Sequence, residues 1–273
     1  MTHSHAEIRA LLQLHGLQPS RALGQNFVGD ANTVRRIARL AEVGPGDRVV
    51  EVGPGLGSLT LALLETGASV TAVEMDRFLI PVLRHVVEPQ GATVVHADAL
   101  EVDWHALLGD DPWMLVANLP YNVATPLVLQ VLEQAPMVTR MLVMVQREVG
   151  ERFAARPGSK AYGAVTVKTA WSASASLVGK VPPTVFVPQP KVDSALVRLD
   201  RHGEVGDREE RQRVFGLVEA GFATRRKMLR NTLSGRVDEA CFEAAGVAPT
   251  ARAEELVLED WRRLAACSPL PPS

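Results

Sequence analysis

VVEVGPGLGSLT (residues 49–60) joins a short hydrophobic run to a segment of helical length through Gly53, Gly55 and Gly57. A buried strand that turns into a helix through glycines is typical of a ligand-binding loop, because a ligand can lie against backbone amides where no Cβ intervenes. The dinucleotide fingerprint requires a further glycine where Ser58 stands, and no Gly-Lys-Ser/Thr follows, so NAD and ATP are disfavoured. A tight turn packed without any ligand is the alternative explanation.

Short runs rich in β-branched residues alternate with segments of helical length in the first half of the chain. Buried strands are predicted at 47–53, 68–74, 92–98, 113–119 and 139–146. Helices are predicted between them, at 57–66, 77–87 and 124–134. This alternation indicates βαβ units, and therefore a parallel sheet with right-handed crossovers. Further strands, including a hairpin, are expected within 163–178 and at 194–199.

The polar, strand-free segment RHGEVGDREERQ (201–212) predicts a domain boundary. Helices are predicted after it, at 209–222, 225–233, 238–245 and 252–266. We therefore expect a large α/β domain over residues 1–200 and a small all-helical domain over residues 207–268.

The composition is that of an ordinary globular protein: 273 residues, 47% hydrophobic and 22% charged, with a net charge of −2. Cys241 and Cys267 form no metal-binding pattern, and we expect reduced thiols. Neither a targeting signal nor a membrane-spanning run is found, so a cytoplasmic protein is expected. The near-neutral charge disfavours a nonspecific nucleic-acid binder, but five basic residues and no acidic one lie between residues 220 and 237.

Two acidic residues end the strands that follow the glycine loop. Glu74 ends the second predicted strand and can accept hydrogen bonds from both hydroxyls of a ribose. Asp98 ends the third and can accept one from the exocyclic amine of an adenine. Together they indicate an adenosine-containing ligand that lacks a pyrophosphate. The alternative is that Asp76 and Asp98 are helix N-caps.

The fourth strand ends in Asn118-Leu119-Pro120-Tyr121. Turn geometry alone asks for Gly, Ser or Asp, so a carboxamide beside an aromatic ring indicates a planar ligand with hydrogen-bonding edges. Together with the glycine loop and the two acids, these residues indicate S-adenosylmethionine as the adenosine-containing ligand.

Seven motifs, in order, resemble the ribosomal RNA adenine N6-dimethyltransferases (the KsgA/RsmA family). The motifs are RALGQNFV (21–28), VVEVGPGLGSLT (49–60), AVEMD (72–76), HADAL (96–100), ANLPYNVATPL (117–127), VFVPQPKVDSALVRL (185–199) and FATRRKMLRNTL (222–233). The resemblance implies a class I (Rossmann-like) S-adenosylmethionine-dependent methyltransferase sheet with a small C-terminal all-helical domain. It implies a cofactor site formed by Gln25, Asn26, Val28, Gly53, Gly55, Glu74, Met75, Asp98, Ala99 and Asn118.

The resemblance also implies methyl transfer to the N6 amines of two adjacent adenines in a 3′-terminal hairpin loop of 16S rRNA. The side-chain oxygen of Asn118 and the backbone carbonyl of Leu119 would accept hydrogen bonds from the amine. Tyr121 would stack on the base, and Phe186 would form a second wall. Ordinary core packing is the alternative for Phe186. No protein base is required, because the methylated ammonium loses its proton to water.

The expected partner is 16S rRNA in the 30S subunit or its precursor, bound by a monomer without a metal ion. The predicted RNA contacts are Arg147, Arg225, Arg226, Lys227 and Arg230. Lys191 is a further candidate for a phosphate contact, while Asp193 and Ser194 are expected to hold their own loop in place. A solvated helix face is the alternative explanation of the basic segment.

Three other functions remain open. A macrolide-resistance methyltransferase acts on large-subunit rRNA, but that group carries Ile where Leu119 stands and lacks the Lys-Val-Asp-Ser run. A binding protein, such as an assembly factor or a mitochondrial-type transcription factor, would not need the intact glycine loop, Glu74 and Asn118. A DNA adenine methyltransferase more often has Asp or Asn before two prolines.

Overall fold

A computed structural model describes residues 2–224 and 226–268. The described chain forms two compact units. The first comprises residues 2–150 and 176–201, and the second comprises residues 151–175 and 202–268 without residue 225. Arg225, a predicted RNA contact, lies outside the described residues.

The first unit contains most of the strands. The strands are β1 (Phe27–Val28), β2 (Arg48–Val52), β3 (Ser69–Glu74), β4 (Thr93–His96), β5 (Trp113–Asn118), β6 (Val138–Gln146), β7 (Ala173–Val181), β8 (Phe186–Val187) and β9 (Ser194–Arg201). The helices up to its first boundary are α1 (His5–Leu14), α2 (Ala31–Ala41), α3 (Ser58–Leu64), α4 (Ile80–Val87), α5 (Trp104–Leu108), α6 (Ala124–Gln134) and α7 (Arg147–Phe153). A unit boundary falls within α7 and within β7.

Seven strands form one sheet in the order β4-β3-β2-β5-β6-β9-β7. The pairs from β4 to β6 are all parallel, and β9 runs antiparallel to β6. Because β3 and β5 both pair with β2, the strand order reverses between β2 and β5. Such a reversal opens a crevice at the carboxyl ends of the strands. The short strands β1 and β8 pair with each other outside this sheet.

Burial explains why these segments form their elements. Val49 and Val50 of β2 are fully buried, as expected for a strand covered on both faces. Helix α2 starts at its N-cap Asp30, whose carboxylate accepts from the Thr33 amide at 2.6 Å. Its apolar face then packs onto the sheet through Val34, Ile37, Ala38 and Ala41.

The second unit is mainly helical. Its helices are α8 (Ala164–Ala170), α9 (Arg208–Phe222), α10 (Leu229–Thr232), α11 (Glu239–Ala245) and α12 (Leu258–Cys267). Its core includes Tyr162, Val167, Trp171, Val214, Leu217, Phe242, Trp261 and Leu264. Gly221 lets α9 approach α12 closely, since a Cβ there would lie 2.4 Å from the Trp261 ring.

The five parallel strands and the four α-helices α3 to α6 between them confirm the predicted α/β fold. Two other predictions are wrong. Residues 164–170 form helix α8 and no strand, because helical spacing places Val167 and Trp171 in the second unit's core. Of the helix predicted at 225–233, the described residues 226–233 form no continuous helix. Only α10 is helical there, since Met228 forms a β-bridge with Arg252.

The domain boundaries also differ from the expectation of 1–200 and 207–268. The larger part of the second unit does begin just after residue 201, but residues 151–175 belong to it as well. The reason is apolar burial, because Tyr162, Val167 and Trp171 pack with residues of α9, α11 and α12. In the part of the chain described, no helix is long and apolar enough to cross a membrane.

The side chain of Arg201 caps the C-terminal end of α6. Its guanidinium donates to the carbonyls of Val131, Leu132, Ala135 and Val138 at 2.9–3.2 Å. Arg201→Met removes a cation that satisfies helix C-terminal carbonyls, so we expect a loss of about 2–4 kcal/mol in the free energy of unfolding. Urea denaturation followed by circular dichroism measures it.

Arg84→Met is the matched control. Arg84 forms a half-exposed ion pair with Glu88 at 3.5 Å, so its loss should cost less than about 0.5 kcal/mol. Equal effects of the two substitutions would contradict a capping role for Arg201.

Candidate active site at the strand-order reversal

A cavity lies at the carboxyl ends of the parallel strands, at the reversal between β2 and β5. Its walls are the glycine loop after β2, the ends of β3 and β4, the loop after β5, and the segment 23–28. Every predicted cofactor residue lines it, namely Gln25, Asn26, Val28, Gly53, Gly55, Glu74, Met75, Asp98, Ala99 and Asn118. The structure therefore brings these ten residues together, although they are spread over 94 positions of sequence.

The glycine loop needs glycine for conformational reasons. Gly53, Gly55 and Gly57 have φ angles of 68°, 60° and 86°, which other residues adopt only with strain. A Cβ on Gly55 would also lie 2.8 Å from the ring of Phe27. Close packing against β1 is thus a second reason for glycine there.

The carboxylate of Glu74 is held in place from both sides. One oxygen accepts from the Gly55 amide at 3.0 Å and the other from the Asp76 amide at 2.9 Å. The side chain is 5% exposed, and burial raises its pKa above the usual range. Each oxygen keeps a lone pair for a ligand hydroxyl.

Asp98 and Asp76 are not helix caps, which removes the alternative explanation. Asp98 accepts from the Leu100 amide at 2.9 Å in a turn, and the cap of α5 is Asp103. Asp76 accepts from the Phe78 amide at 2.9 Å, and α4 has no side-chain cap.

The segment 23–28 is tied to the loop after β3 by the side chain of Gln25. Gln25 donates to Asp76 at 2.7 Å and accepts from the Ser20 amide at 2.8 Å, so both ends of its amide are engaged. The side chain of Asn26 donates to the Gly24 carbonyl at 3.0 Å. Gln25 therefore links the segment to the loop that follows Glu74.

The orientation of the Asn118 amide is set by the same segment. Its Nδ2 donates to the backbone carbonyl of Asn26 at 3.0 Å. The side-chain oxygen must then point the other way, and Asn118 lines the cavity. When its NH₂ group is held by a hydrogen bond, a side-chain amide has its oxygen left as an acceptor for a ligand.

Tyr121 and Leu119 complete the loop after β5. The Tyr121 hydroxyl forms a 2.9 Å hydrogen bond with the hydroxyl of Ser194, which is fully buried at the start of β9. Burial raises the pKa of Tyr121, so the phenol stays protonated at neutral pH. The Leu119 amide donates to the Met144 carbonyl at 3.0 Å, which anchors the loop to β6.

Phe186 lies elsewhere. It is 3% exposed and packs with Val28, Val34 and Ile37, and it is not among the described residues that line the cavity. These contacts match the core-packing alternative, and its stacking role stays a prediction.

Glu51 and Ser58 line the cavity but were not predicted as site residues. Glu51, in the middle of β2, is 1% exposed and accepts from the Thr60 hydroxyl at 2.6 Å. Burial, helped by the charge of Glu74, raises its pKa to about 8. Ser58 is 6% exposed, and its hydroxyl has no hydrogen-bond partner among the described residues. A carboxylate inside an otherwise apolar buried strand is the sequence feature that could have revealed Glu51.

The carboxyl groups in the cavity have no basic side chain beside them in the described lining. Glu51, Glu74 and Asp98 line the cavity, and its described lining contains no Lys, Arg or His. Such a site favours a cation over the anionic phosphates of NAD or ATP. S-adenosylmethionine carries a sulfonium and an ammonium against one carboxylate, so the residues present fit it. No cluster of potential metal ligands occurs within the described chain.

The predicted RNA contacts that the structure describes lie at the surface. Arg226, Lys227 and Arg230 of the second unit are exposed, as is Arg147 at the start of α7. Lys168, a basic residue of the second unit, is instead paired with Glu219 at 2.5 Å. The two cysteines are free thiols, as expected.

The reversed strand order, the glycine loop and the acids at successive strand ends define a class I, Rossmann-like S-adenosylmethionine-dependent methyltransferase. Residues 17–268 match the family described as "Ribosomal RNA adenine dimethylase". The chain belongs to this family.

Two curated relatives carry the name "Ribosomal RNA small subunit methyltransferase A". The protein of Leifsonia xyli is 53% identical, and the alignment covers 96% of each chain. That of Cutibacterium acnes is 50% identical, over 95% of this chain and 92% of the relative.

Two solved structures share the fold. The 23S rRNA methyltransferase ErmE has a TM-score of 0.70 and 30% identity, covering 88% of this chain and 98% of its own. A dimethyladenosine transferase from Plasmodium falciparum has a TM-score of 0.68, covering 86% of this chain and 94% of its own, with 21% identity. The second likeness is one of fold alone.

The raised pKa of Glu51 predicts a pH-dependent stability. In the unfolded chain this carboxyl ionises near its usual pKa, about 4.3, whereas in the folded protein it holds its proton up to about pH 8. Between these values the folded state binds the extra proton, so this contribution to stability falls as pH rises. Glu51→Gln cannot ionise and should lose less stability than the wild type between pH 5 and pH 8.5.

Thermal unfolding of both proteins without cofactor, at intervals across this range, measures the difference. Titrating groups that do not interact with Glu51 are common to both proteins and cancel in the comparison. Parallel curves would contradict a protonated Glu51.

Proposed function

We propose that this methyltransferase converts two adjacent adenines in a 3′-terminal hairpin loop of 16S rRNA to N6,N6-dimethyladenine during assembly of the 30S subunit. Membership of the ribosomal RNA adenine dimethylase family supplies the reaction class. The observation that carries the assignment of the reacting site is the amide of Asn118, which lines the cavity and whose Nδ2 is held by the Asn26 carbonyl.

The choice of the small subunit is supported by sequence identity. The two curated relatives named for the small subunit are 53% and 50% identical. ErmE, named for 23S rRNA, is 30% identical. Leu119 also stands where the macrolide-resistance group carries Ile.

An adenine amine is a poor nucleophile, because its lone pair is delocalised into the ring. The Asn118 side-chain oxygen and the Leu119 carbonyl would each accept one N–H of the amine, which turns the lone pair out of conjugation. Bound S-adenosylmethionine supplies an electrophilic methyl group on a sulfonium. Asn118 and Leu119 would hold the N6 lone pair toward this methyl group, and transfer of the methyl to nitrogen would leave the electron pair of the C–S bond on sulfur.

Stabilisation of the developing charge accounts for much of the rate. The amine becomes positive as it attacks, and preorganised acceptor dipoles in a dry site lower the barrier by several kcal/mol. Because the Asn118 amide is already held by Asn26, little reorganisation is needed. The methylated ammonium then gives its proton to water.

The target base must leave its stack to enter the cavity. The ring of Tyr121, held by its hydrogen bond to Ser194, offers a face for the base. Such stacking is worth about 1–3 kcal/mol per base. Phe186 would need to become accessible in the RNA complex to act as the second wall.

RNA docking is assigned to exposed basic residues. Arg226, Lys227 and Arg230 would bind phosphates, which positions the RNA without reading its sequence. Arg147 and Lys191, both exposed, are further candidates in the first unit. We propose that the enzyme is a monomer and that it acts in the cytoplasm, where precursor subunits are assembled.

Asn118→Ala tests the catalytic assignment. Loss of the acceptor should reduce methyl transfer to unmethylated small subunits by at least about 100-fold. Binding of S-adenosylhomocysteine, measured by calorimetry, should stay within a factor of about five, because Glu74 and Asp98 remain.

Asn32→Ala is the matched control, an amide on the exposed face of α2 and outside the cavity. It should keep full activity. Near-normal transfer by Asn118→Ala would remove Asn118 from the mechanism.

Arg226→Glu with Lys227→Glu tests docking. Reversal of two phosphate-binding charges should weaken binding to small subunits roughly 10- to 100-fold at physiological salt and flatten the salt dependence. Cofactor affinity should not change. Filter binding at several salt concentrations provides the measurement.

The control reverses two exposed charges elsewhere, Arg9 and Arg208, for the same change in net charge. If both double variants weaken binding equally, net charge and not this segment determines docking.

A further inference from the structure

We propose that Cys267 and Cys241 form a thiol-oxidation site in the second unit, at which Cys267 reacts with a low-molecular-weight disulfide and Cys241 completes an intramolecular disulfide bond. Both residues are free thiols on helices of that unit, Cys241 on α11 and Cys267 at the end of α12. Neither takes part in the proposed methyl transfer, so this modification site goes beyond the proposed function.

The two thiols meet at one turn of α12. Cys241 Sγ donates to the Leu264 carbonyl at 3.4 Å. Cys267 Sγ donates to the carbonyl of the preceding residue, Arg263, at 3.3 Å. The two thiols also interact with each other through a side-chain hydrogen bond. They are 26 positions apart in the sequence, so the folding of the second unit brings them together.

The packing of α11 against α12 holds this arrangement from both sides. Phe242 of α11 and Leu264 of α12 are buried in the core of the second unit. Beyond the thiols, the Ser268 hydroxyl donates to the Arg236 carbonyl at 2.8 Å, which ties the end of α12 to the loop before α11. A disulfide bond requires a close approach of the two Cβ atoms. Two thiols already in contact need little backbone movement to reach it.

The two thiols differ in their access to solvent, and this difference sets the order of reaction. Cys267 is exposed and lines an open cavity together with Arg230, Arg236 and Phe242. Cys241 is 6% exposed, and burial raises its pKa to about 12. Because the thiolate is the nucleophile in thiol–disulfide exchange, Cys241 is inert by itself and a small disulfide reacts first with Cys267.

The reaction consists of two successive thiol–disulfide exchanges. The Cys267 thiolate attacks one sulfur of the small disulfide, a mixed disulfide forms, and the other half leaves as a thiolate. Cys241 then loses its proton to solvent and attacks Cys267 Sγ, which forms the internal bond and releases the second half as a thiolate. The two protein thiols are oxidised by two electrons, and the small disulfide is reduced to two thiols.

The first exchange prepares the second. Besides burial, the hydrogen bond to Cys267 and the negative charge of its thiolate keep the pKa of Cys241 high. A mixed disulfide at Cys267 is uncharged, so this repulsion disappears and the pKa of Cys241 falls. Cys241 therefore becomes nucleophilic when Cys267 carries a leaving group, which favours the internal bond over a lasting adduct.

The internal bond stabilises the second unit. It links α11 to the last residue of α12 and restricts the unfolded chain between them. We expect the midpoint of thermal unfolding to rise by about 5 °C or more on oxidation. Scanning calorimetry of the oxidised and reduced wild type measures this shift, which Cys241→Ser should not show.

Incubation of the full chain with oxidised glutathione at pH 8 tests the site. Free thiols are then blocked with iodoacetamide in denaturant, and the mass of the intact chain is measured. The wild type should carry neither a blocked thiol nor bound glutathione, and its mass should be two hydrogens below that of the reduced chain. Peptide mapping without reductant should find Cys241 and Cys267 linked, and dithiothreitol should reverse the change.

Two single substitutions separate the two exchanges. Cys241→Ser should stop after the first exchange, with one glutathione bound at Cys267. Cys267→Ser should take up glutathione at least about 100-fold more slowly than Cys241→Ser, because its remaining thiol is buried. Circular dichroism of the reduced proteins checks that both variants fold, and the wild-type result depends on neither.

Four results would overturn the inference. A wild type that keeps one bound glutathione, as Cys241→Ser does, would show that the two sulfur atoms cannot join. Two blocked thiols after prolonged incubation would show that Cys267 is unreactive. Equal uptake of glutathione by the two variants would show that Cys241 is accessible. A disulfide-linked dimer on a non-reducing gel would show that Cys267 reacts with a second chain instead.

Discussion

The reversal of strand order between β2 and β5 is the constraint on which the site depends. Both β3 and β5 run parallel to β2, so the loops that leave β2 and β5 separate and leave a crevice between them. The glycine loop forms one wall and the Asn118 loop forms the other. Because all the parallel strands end at this edge, Glu74 and Asp98 face the same space. The segment 23–28 then closes it, with β1 held by its pairing to β8 and Asn26 bonded to Asn118.

The negative charge of this crevice links stability to function. Three carboxylates line it without a basic partner among the described lining residues, and the folded protein responds by keeping Glu51 protonated. Without a ligand, burial of these carboxyl groups lowers the free energy of unfolding. The cavity suits a cofactor that carries two positive groups. The same charge disfavours anionic nucleotides, which the glycine spacing and the lack of a Gly-Lys-Ser/Thr run in the sequence also disfavour. Loop shape and cavity charge thus select the same class of cofactor independently.

Much of the fold could be predicted from the sequence, because buried parallel strands have a strong apolar pattern and the acids mark their ends. The ten cofactor-site residues converge on one cavity, although their individual contacts with the cofactor remain predictions. The amide orientation of Asn118 could not be predicted, since its partner Asn26 is 92 positions away. The hydrogen bond between Gln25 and Asp76 could not be predicted either, because these residues are 51 positions apart. Residues 151–175 were placed in the α/β domain, with strands expected within 163–178. The β-branched residues that suggested strands, such as Val167, lie instead in a helix that packs in the core of the second unit.

Mapping of the methyl groups on ribosomal subunits tests whether the enzyme dimethylates small-subunit rRNA. Unmethylated small subunits, and large-subunit RNA for comparison, would be incubated with radiolabelled S-adenosylmethionine, and the modified bases located by primer-extension arrest. We expect N6,N6-dimethyladenine at two adjacent adenines near the 3′ end of the small-subunit RNA. Label confined to large-subunit RNA would instead identify an enzyme of the resistance type. Bound cofactor without transfer to either RNA would contradict the assignment of a working methyltransferase.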